Sequence, residues 1–122
     1  MEVEMNTALD IENLKSLFTS CQKTLLALGD ETRTQILMMM LSGECQGSRV
    51  VDIAKKTHLS RPAVSHHMQI LKDAGIVKSR KEGTLVYYYL DPQKSEIDNM
   101  VLLFQKIQQI MKYVTDRSEE SL

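Results

Sequence analysis

Two cysteines in 122 residues are too few for a disulfide framework, and none is expected in the cytosol, the compartment the opening residues suggest. Met1-Glu2-Val3-Glu4 is acidic where a secretory signal would be basic, and no apolar core follows it. No stretch approaches the roughly 20 apolar residues of a membrane span. Proline, glycine and serine nowhere gather into a linker, and neither an internal repeat nor a low-complexity tract is present, so one domain over 1–122 is expected. A Gly-rich phosphate loop, a nucleophile constellation and a paired-carboxylate site are also missing, which argues against an enzyme. The only aromatic cluster, Tyr87-Tyr88-Tyr89, lies in a β-rich run and alternates in facing, so it offers no basic-aromatic platform for RNA.

A net charge of −1 would argue against a nucleic-acid partner if it were spread evenly. It is not. Lys55, Lys56, Arg61, Lys72, Lys78, Arg80 and Lys81 face a single acid, Asp73, between positions 55 and 81, so that segment is +6 and the rest of the chain −7. A basic segment on a mildly acidic body is the electrostatic footprint of a DNA-binding element.

The order of elements agrees. Apolar spacing predicts a helix over 11–27, ended by Leu28-Gly29-Asp30, and a second over 31–41 with Asp30 as its N-cap. A short helix follows over 50–57. His58-Leu59-Ser60 then leads tightly into a helix over 61–74, where Ser60 is a good N-cap and Pro62 is tolerable in the first turn. Val64, Met68 and Leu71 set its inner side; at about 100° per residue, Pro62, Ser65, His66, Gln69 and Asp73 fall on the opposite side. That outer face carries short hydrogen-bonding side chains and one acid, as a helix entering a DNA groove requires. His67 lies toward the inner side and reads more readily as a hydrogen-bonded structural histidine than as a contact.

After Ala74-Gly75 the period changes. Residues 76–80 and 84–90 are β-rich and joined by Lys81-Glu82-Gly83, a hairpin signal. A last helix is expected over 95–116, followed by a frayed polar tail. The predicted order is α-α-α-α-β-β-α, mostly α with a small hairpin: a dimeric winged helix-turn-helix with its helix-turn-helix at 50–74 and its wing at 76–90. The recognition helix would lie in the major groove, and Arg80 and Lys81 would reach the backbone or the minor groove.

On the last helix Met100, Leu103, Ile107, Ile110 and Val114 are spaced 3-4-3-4, a heptad-like row. Ile97, Val101, Phe104 and Met111 form a second row beside it. One row docks a helix on its own domain; two imply an apolar surface for a partner. A homodimer is expected, with the first row as its interface and 11–28 and 95–116 as dimerisation helices.

Three motifs together resemble the ArsR/SmtB-type bacterial transcriptional repressors. Leu28-Gly29-Asp30-Glu31-Thr32-Arg33 before Ile36-Leu37 is similar to the family's second-helix opening, with Glu31 where proline is common. Leu59-Ser60, Val64-Ser65-His66-His67-Met68 and Leu71-Lys72-Asp73-Ala74-Gly75-Ile76-Val77 resemble its helix-turn-helix. Lys81-Glu82-Gly83 before Tyr87-Tyr88-Tyr89-Leu90 resembles its wing. The resemblance covers about Leu25 to Leu90. It implies a homodimer bound to a twofold-symmetric operator and released by an effector of unknown identity. It places groove contacts on Ser60, Arg61, Val64, Ser65 and His66; the helical pattern supports Ser65 and His66 and puts Val64 in the core. Gln69 could read an adenine, while Lys55, Lys56 and Lys72 would meet phosphate.

The chain departs from the family's metal sensors. A Cys-x-Cys pair before the aspartate of the short helix would fall on Arg49 and Val51, counted back from Asp52, and neither binds metal. A second family site needs Asp and His pairs on the last helix, which has Asp98 and Asp116 but no histidine. No metal or other cofactor is therefore expected. Cys21 and Cys45 are candidates for a thiol sensor; the plainer reading is a buried small hydrophobe and a loop thiol. The alternative to an operator-binding regulator is a winged-helix module that only dimerises.

Overall fold

The protein is described by a computed structural model covering residues 7–43, 47–93 and 95–120. Cys45 lies outside the described residues. The order is α1 (Thr7–Ser20), α2 (Gln22–Leu28), α3 (Glu31–Ser42), α4 (Val50–Thr57), α5 (Arg61–Asp73), β1 (Lys78–Glu82), β2 (Leu85–Tyr89) and α6 (Ile97–Glu120). These elements fall into two compact units, one within Met1–Gln22 and Asp98–Leu122, the other spanning Lys23–Ile97.

The predicted winged helix-turn-helix is present, with one more helix than expected. The run anticipated over 11–27 breaks at Cys21 into α1 and α2. At the break Thr19 Oγ1 donates to Lys15 O (3.0 Å) and Ser20 Oγ to Leu17 O (2.8 Å). Cys21 N–H is shared between Leu17 O and Phe18 O. Hydroxyls that bond back onto carbonyls compete with the helical ladder and bend it, a local effect that apolar spacing does not register. α1 also begins four residues earlier than expected, at Thr7, and α6 continues through the anticipated tail to Glu120.

The core of the Lys23–Ile97 unit is built by α3, α4 and α5. Ile36, Ile53, Val64, Met68 and Leu71 are fully buried and cluster with Ala27, Ala54, Ala74, Ile76 and Val77. Cap chemistry sets the helix boundaries. Asp30 Oδ1 accepts from Arg33 N (3.0 Å) to start α3; Ser60 Oγ accepts from Ala63 N (3.2 Å) to start α5, with Pro62 in the first turn. His58, in the left-handed region at φ 59, ends α4 and makes the tight turn into α5.

α5 ends in a Schellman motif. Gly75 has φ 76, its N–H donates to Lys72 O, and Ile76 N–H donates to Leu71 O, so the chain turns sharply and buries Ile76 beside Leu71. Ile76 and Val77, expected to open the first strand, are instead the buried connection into it. β1 and β2 pair antiparallel in the register Lys78↔Tyr89, Arg80↔Tyr87, Glu82↔Leu85. The turn is Gly83-Thr84, two residues later than the sequence suggested, and Gly83 supplies the positive φ (63°) of a type II′ hairpin. Ser48 bridges to Tyr88 on the other edge of β2, and Lys78 Nζ meets Asp91 Oδ2 at 2.6 Å across the base of the wing.

Candidate nucleic-acid interface

The inward residues of α5 establish which side is left for a ligand. Val64, Met68 and Leu71 are buried; Arg61, Ser65, His66, Gln69 and Lys72 are exposed. Val64 therefore packs in the core, as the helical pattern requires and against the position the resemblance assigns it. His67 is half-buried, its Nδ1 3.4 Å from Nη1 of Arg33. Arg33 also donates from Nε to Ala27 O (2.9 Å) and from Nη2 to Leu26 O (3.3 Å). It thus covers two carbonyls at the end of α2, of which Leu26 O also accepts from Gly29 N–H (3.2 Å), while contacting the middle of α5. A second tie joins the same helices: buried Thr24 Oγ1 donates to Ala74 O (3.0 Å). Neither tie is legible in the sequence, because the α5-side partners of Arg33 and Thr24 lie 34 and 50 residues away.

Ser60 is exposed but its hydroxyl is engaged as the cap of α5. Lys55 and Lys56 are exposed in the last turn of α4, where the helix dipole favours cations. Together with Arg61, Lys72 and Lys81 they carry no ion pair among the described residues. Lys78 is paired with Asp91.

Arg80 makes contacts within the wing that the sequence did not indicate. Its guanidinium carbon lies 5.1 Å from the ring centroid of Tyr87 and 5.8 Å from that of Tyr89, and its Nε donates to Glu82 Oε1 at 3.0 Å. Nη1 comes close to Gly47, where an added Cβ would sit 3.2 Å away. Arg80 is held along the wing by cation–π contact and an ion pair. The alternation of β1 puts Lys81 on the other face, exposed and unpaired among the described residues.

Among the described residues Asp30 is held away from its ordinary titration range. Its carboxyl is held below its ordinary value chiefly by the hydrogen bond from Arg33 N–H, which outweighs the opposing effect of desolvation, and the charge of Arg33 adds a lesser push in the same direction. Among the described residues no group of three or more His, Cys, Asp or Glu side chains is placed to hold a metal ion. Cys21 is fully buried.

Residues 30–79, the segment from the cap of α3 into the first strand of the wing, match the model of the bacterial regulatory protein, arsR family. An HTH-type transcriptional regulator of Methanocaldococcus jannaschii is 44% identical over 77 residues, 62% of this chain and 83% of that protein. The chain belongs to the ArsR family. The transcriptional activator HlyU of Vibrio cholerae is 31% identical over 106 residues, 87% of this ArsR-family chain and 83% of its own length. The structure of reduced HlyU superposes with a TM-score of 0.59 at 28% identity, covering 79% of this chain and 96% of that one. A homodimeric winged helix-turn-helix DNA-binding domain from Mycobacterium bovis, described as a possible ArsR-family regulator, gives 0.58 at 25% identity, over 95% and 91% of the two chains. This ArsR-family protein is a DNA-binding transcriptional regulator of winged helix-turn-helix fold. No helix among its described residues is long and apolar enough to cross a membrane.

Proposed function

We propose that the chain is a cytoplasmic homodimeric repressor that holds a twofold-symmetric operator and lets it go when an effector binds. The observation that carries this reading is the exposed face of α5, where Ser65, His66 and Gln69 stand clear of the core on a helix capped by Ser60. Ser65 and His66 are the base-reading residues, Arg61 sits at the entrance to the groove, and Lys55, Lys56, Lys72 and Lys81 neutralise phosphate. Arg80 supports the wing rather than contacting DNA.

The α6 surface supports dimerisation, with a change of row. Met100 and Leu103 are 5% and 0% exposed within the protomer, so they serve the chain's own fold. Ile107 and Ile110 are half-buried and Val114 is exposed. The open apolar row is Val101, Phe104 and Met111, at 50%, 54% and 64%, and it is the better candidate for the partner's helix.

The test is a duplex selection followed by affinity measurement against salt. Wild type is expected to select one sequence with a twofold repeat and to bind it less tightly as salt rises. The Ser65→Ala/His66→Ala double variant should lose that preference while remaining a dimer. Retained protection of the same operator would defeat the assignment, and no duplex binding at any salt would favour the dimerisation-only module.

A further inference from the structure

One acid interrupts the outer face of α5. Asp73 is the last residue of that helix, its only acid, and exposed. Two effects oppose a carboxylate there. The carbonyl end of a helix repels negative charge, and a surface that approaches phosphates gains by having none. Asp73 has no ion pair among the described residues. Its contact is a hydrogen bond from Gln69 Nε2, one turn earlier on the same face, at 2.8 Å. An exposed pair four residues apart adds little to helix stability, so the bond does not account for an acid in so unfavourable a place.

We propose that Asp73 is a positioning residue for base reading, holding the carboxamide of Gln69 ready for an A·T pair in the major groove. An ionised carboxylate only accepts hydrogen bonds, so the nitrogen end of the amide, not the oxygen, faces Asp73. One N–H is engaged there. The other N–H and Oε1 are left as a donor and an acceptor, the combination that matches N7 and the N6 amino group of adenine. A side chain already held also loses less rotamer freedom on binding than a free glutamine. The inference rests on α5 being the helix that enters the groove, and it assigns the acid of the basic segment to specificity rather than affinity.

The experiment selects duplexes from a random pool with wild type, Gln69→Ala, Asp73→Ala and Asp73→Asn, each checked for folding by circular dichroism. Simple electrostatics predicts that Asp73→Ala binds every duplex more tightly. The proposal adds that this variant loses about tenfold of the preference for adenine at one position of each half-site. Asp73→Asn, which keeps an acceptor oxygen, should retain most of that preference, and the Gln69→Ala/Asp73→Ala double variant should discriminate no worse than Gln69→Ala alone. Asp73→Ala selecting the wild-type bases at every position would overturn the proposal while leaving α5 as the reading helix, provided Ser65→Ala/His66→Ala still loses the operator. If wild type selects no common sequence, both readings fall together.

Discussion

Arg33 and His67 meet at 3.4 Å between Nη1 and Nδ1, a contact that joins α3 to the middle of α5. A guanidinium only donates, so a hydrogen bond at this contact uses Nδ1 as its acceptor. The same arginine covers the Leu26 and Ala27 carbonyls at the end of α2, and its side chain is only 14% exposed. Arg33→Ala leaves those groups without their charged donor and should cost about 1.5–3 kcal/mol. His67→Ala should cost less, because it loses one long bond. Urea unfolding of both single variants and the double should show coupling above about 0.5 kcal/mol; strict additivity would mean that the contact contributes nothing.

The wing separates two cations that are neighbours in sequence. Arg80 lies against Tyr87 and Tyr89, whereas Lys81 is exposed on the opposite face of β1. Lys81→Ala is expected to lower the magnitude of the log–log salt slope of operator binding by about one per protomer, with unfolding unchanged. Arg80→Ala should leave the slope alone and destabilise the wing by about 1 kcal/mol through lost cation–π contact. Equal slopes for wild type and Lys81→Ala would remove the wing from the phosphate contacts.

Two rows of α6 should respond differently to substitution. Leu103→Ala empties a fully buried site and should destabilise the protomer by about 2–5 kcal/mol. Phe104→Glu places a charge on the open row and should leave the protomer folded but shift sedimentation at micromolar concentration from dimer to monomer. A dimer unaffected by Phe104→Glu would move the interface elsewhere.

Acid should weaken the fold through Asp30. Its carboxyl titrates below the ordinary 3.8, chiefly because the charged form accepts the Arg33 N–H. A carboxylate lowered in the folded state contributes stability that is complete above its unfolded pKa and fades as pH falls through the folded value. The urea midpoint should therefore drop below about pH 4 more steeply in wild type than in Asp30→Asn, which keeps a cap but has no charge to lose. Identical acid limbs would assign the loss to other carboxylates.

The features legible in the sequence are those governed by neighbours along the chain. Asp30 and Ser60 begin helices because their oxygens reach an N–H three residues on. Gly75 ends α5 because the Schellman turn needs a positive φ there. Val64, Met68 and Leu71 point inward because a helix repeats every 3.6 residues. These local rules were enough for a winged helix-turn-helix and for the exposed face of α5.

Tertiary structure decided what depends on distant partners. Two apolar rows on α6 are equivalent in periodicity, and only packing within the protomer shows that Met100 and Leu103 belong inside while Phe104 and Met111 stay open. The Gly83-Thr84 turn sets a register that places Arg80 opposite Tyr87, so its guanidinium lies against the rings of the wing. Arg33 and Thr24 reach α5 across tens of residues, a closeness that no spacing along the chain encodes. The scarcity of cysteine and the lack of any apolar span narrowed the class of protein; chain packing then determined which of its many polar residues were free to meet a ligand.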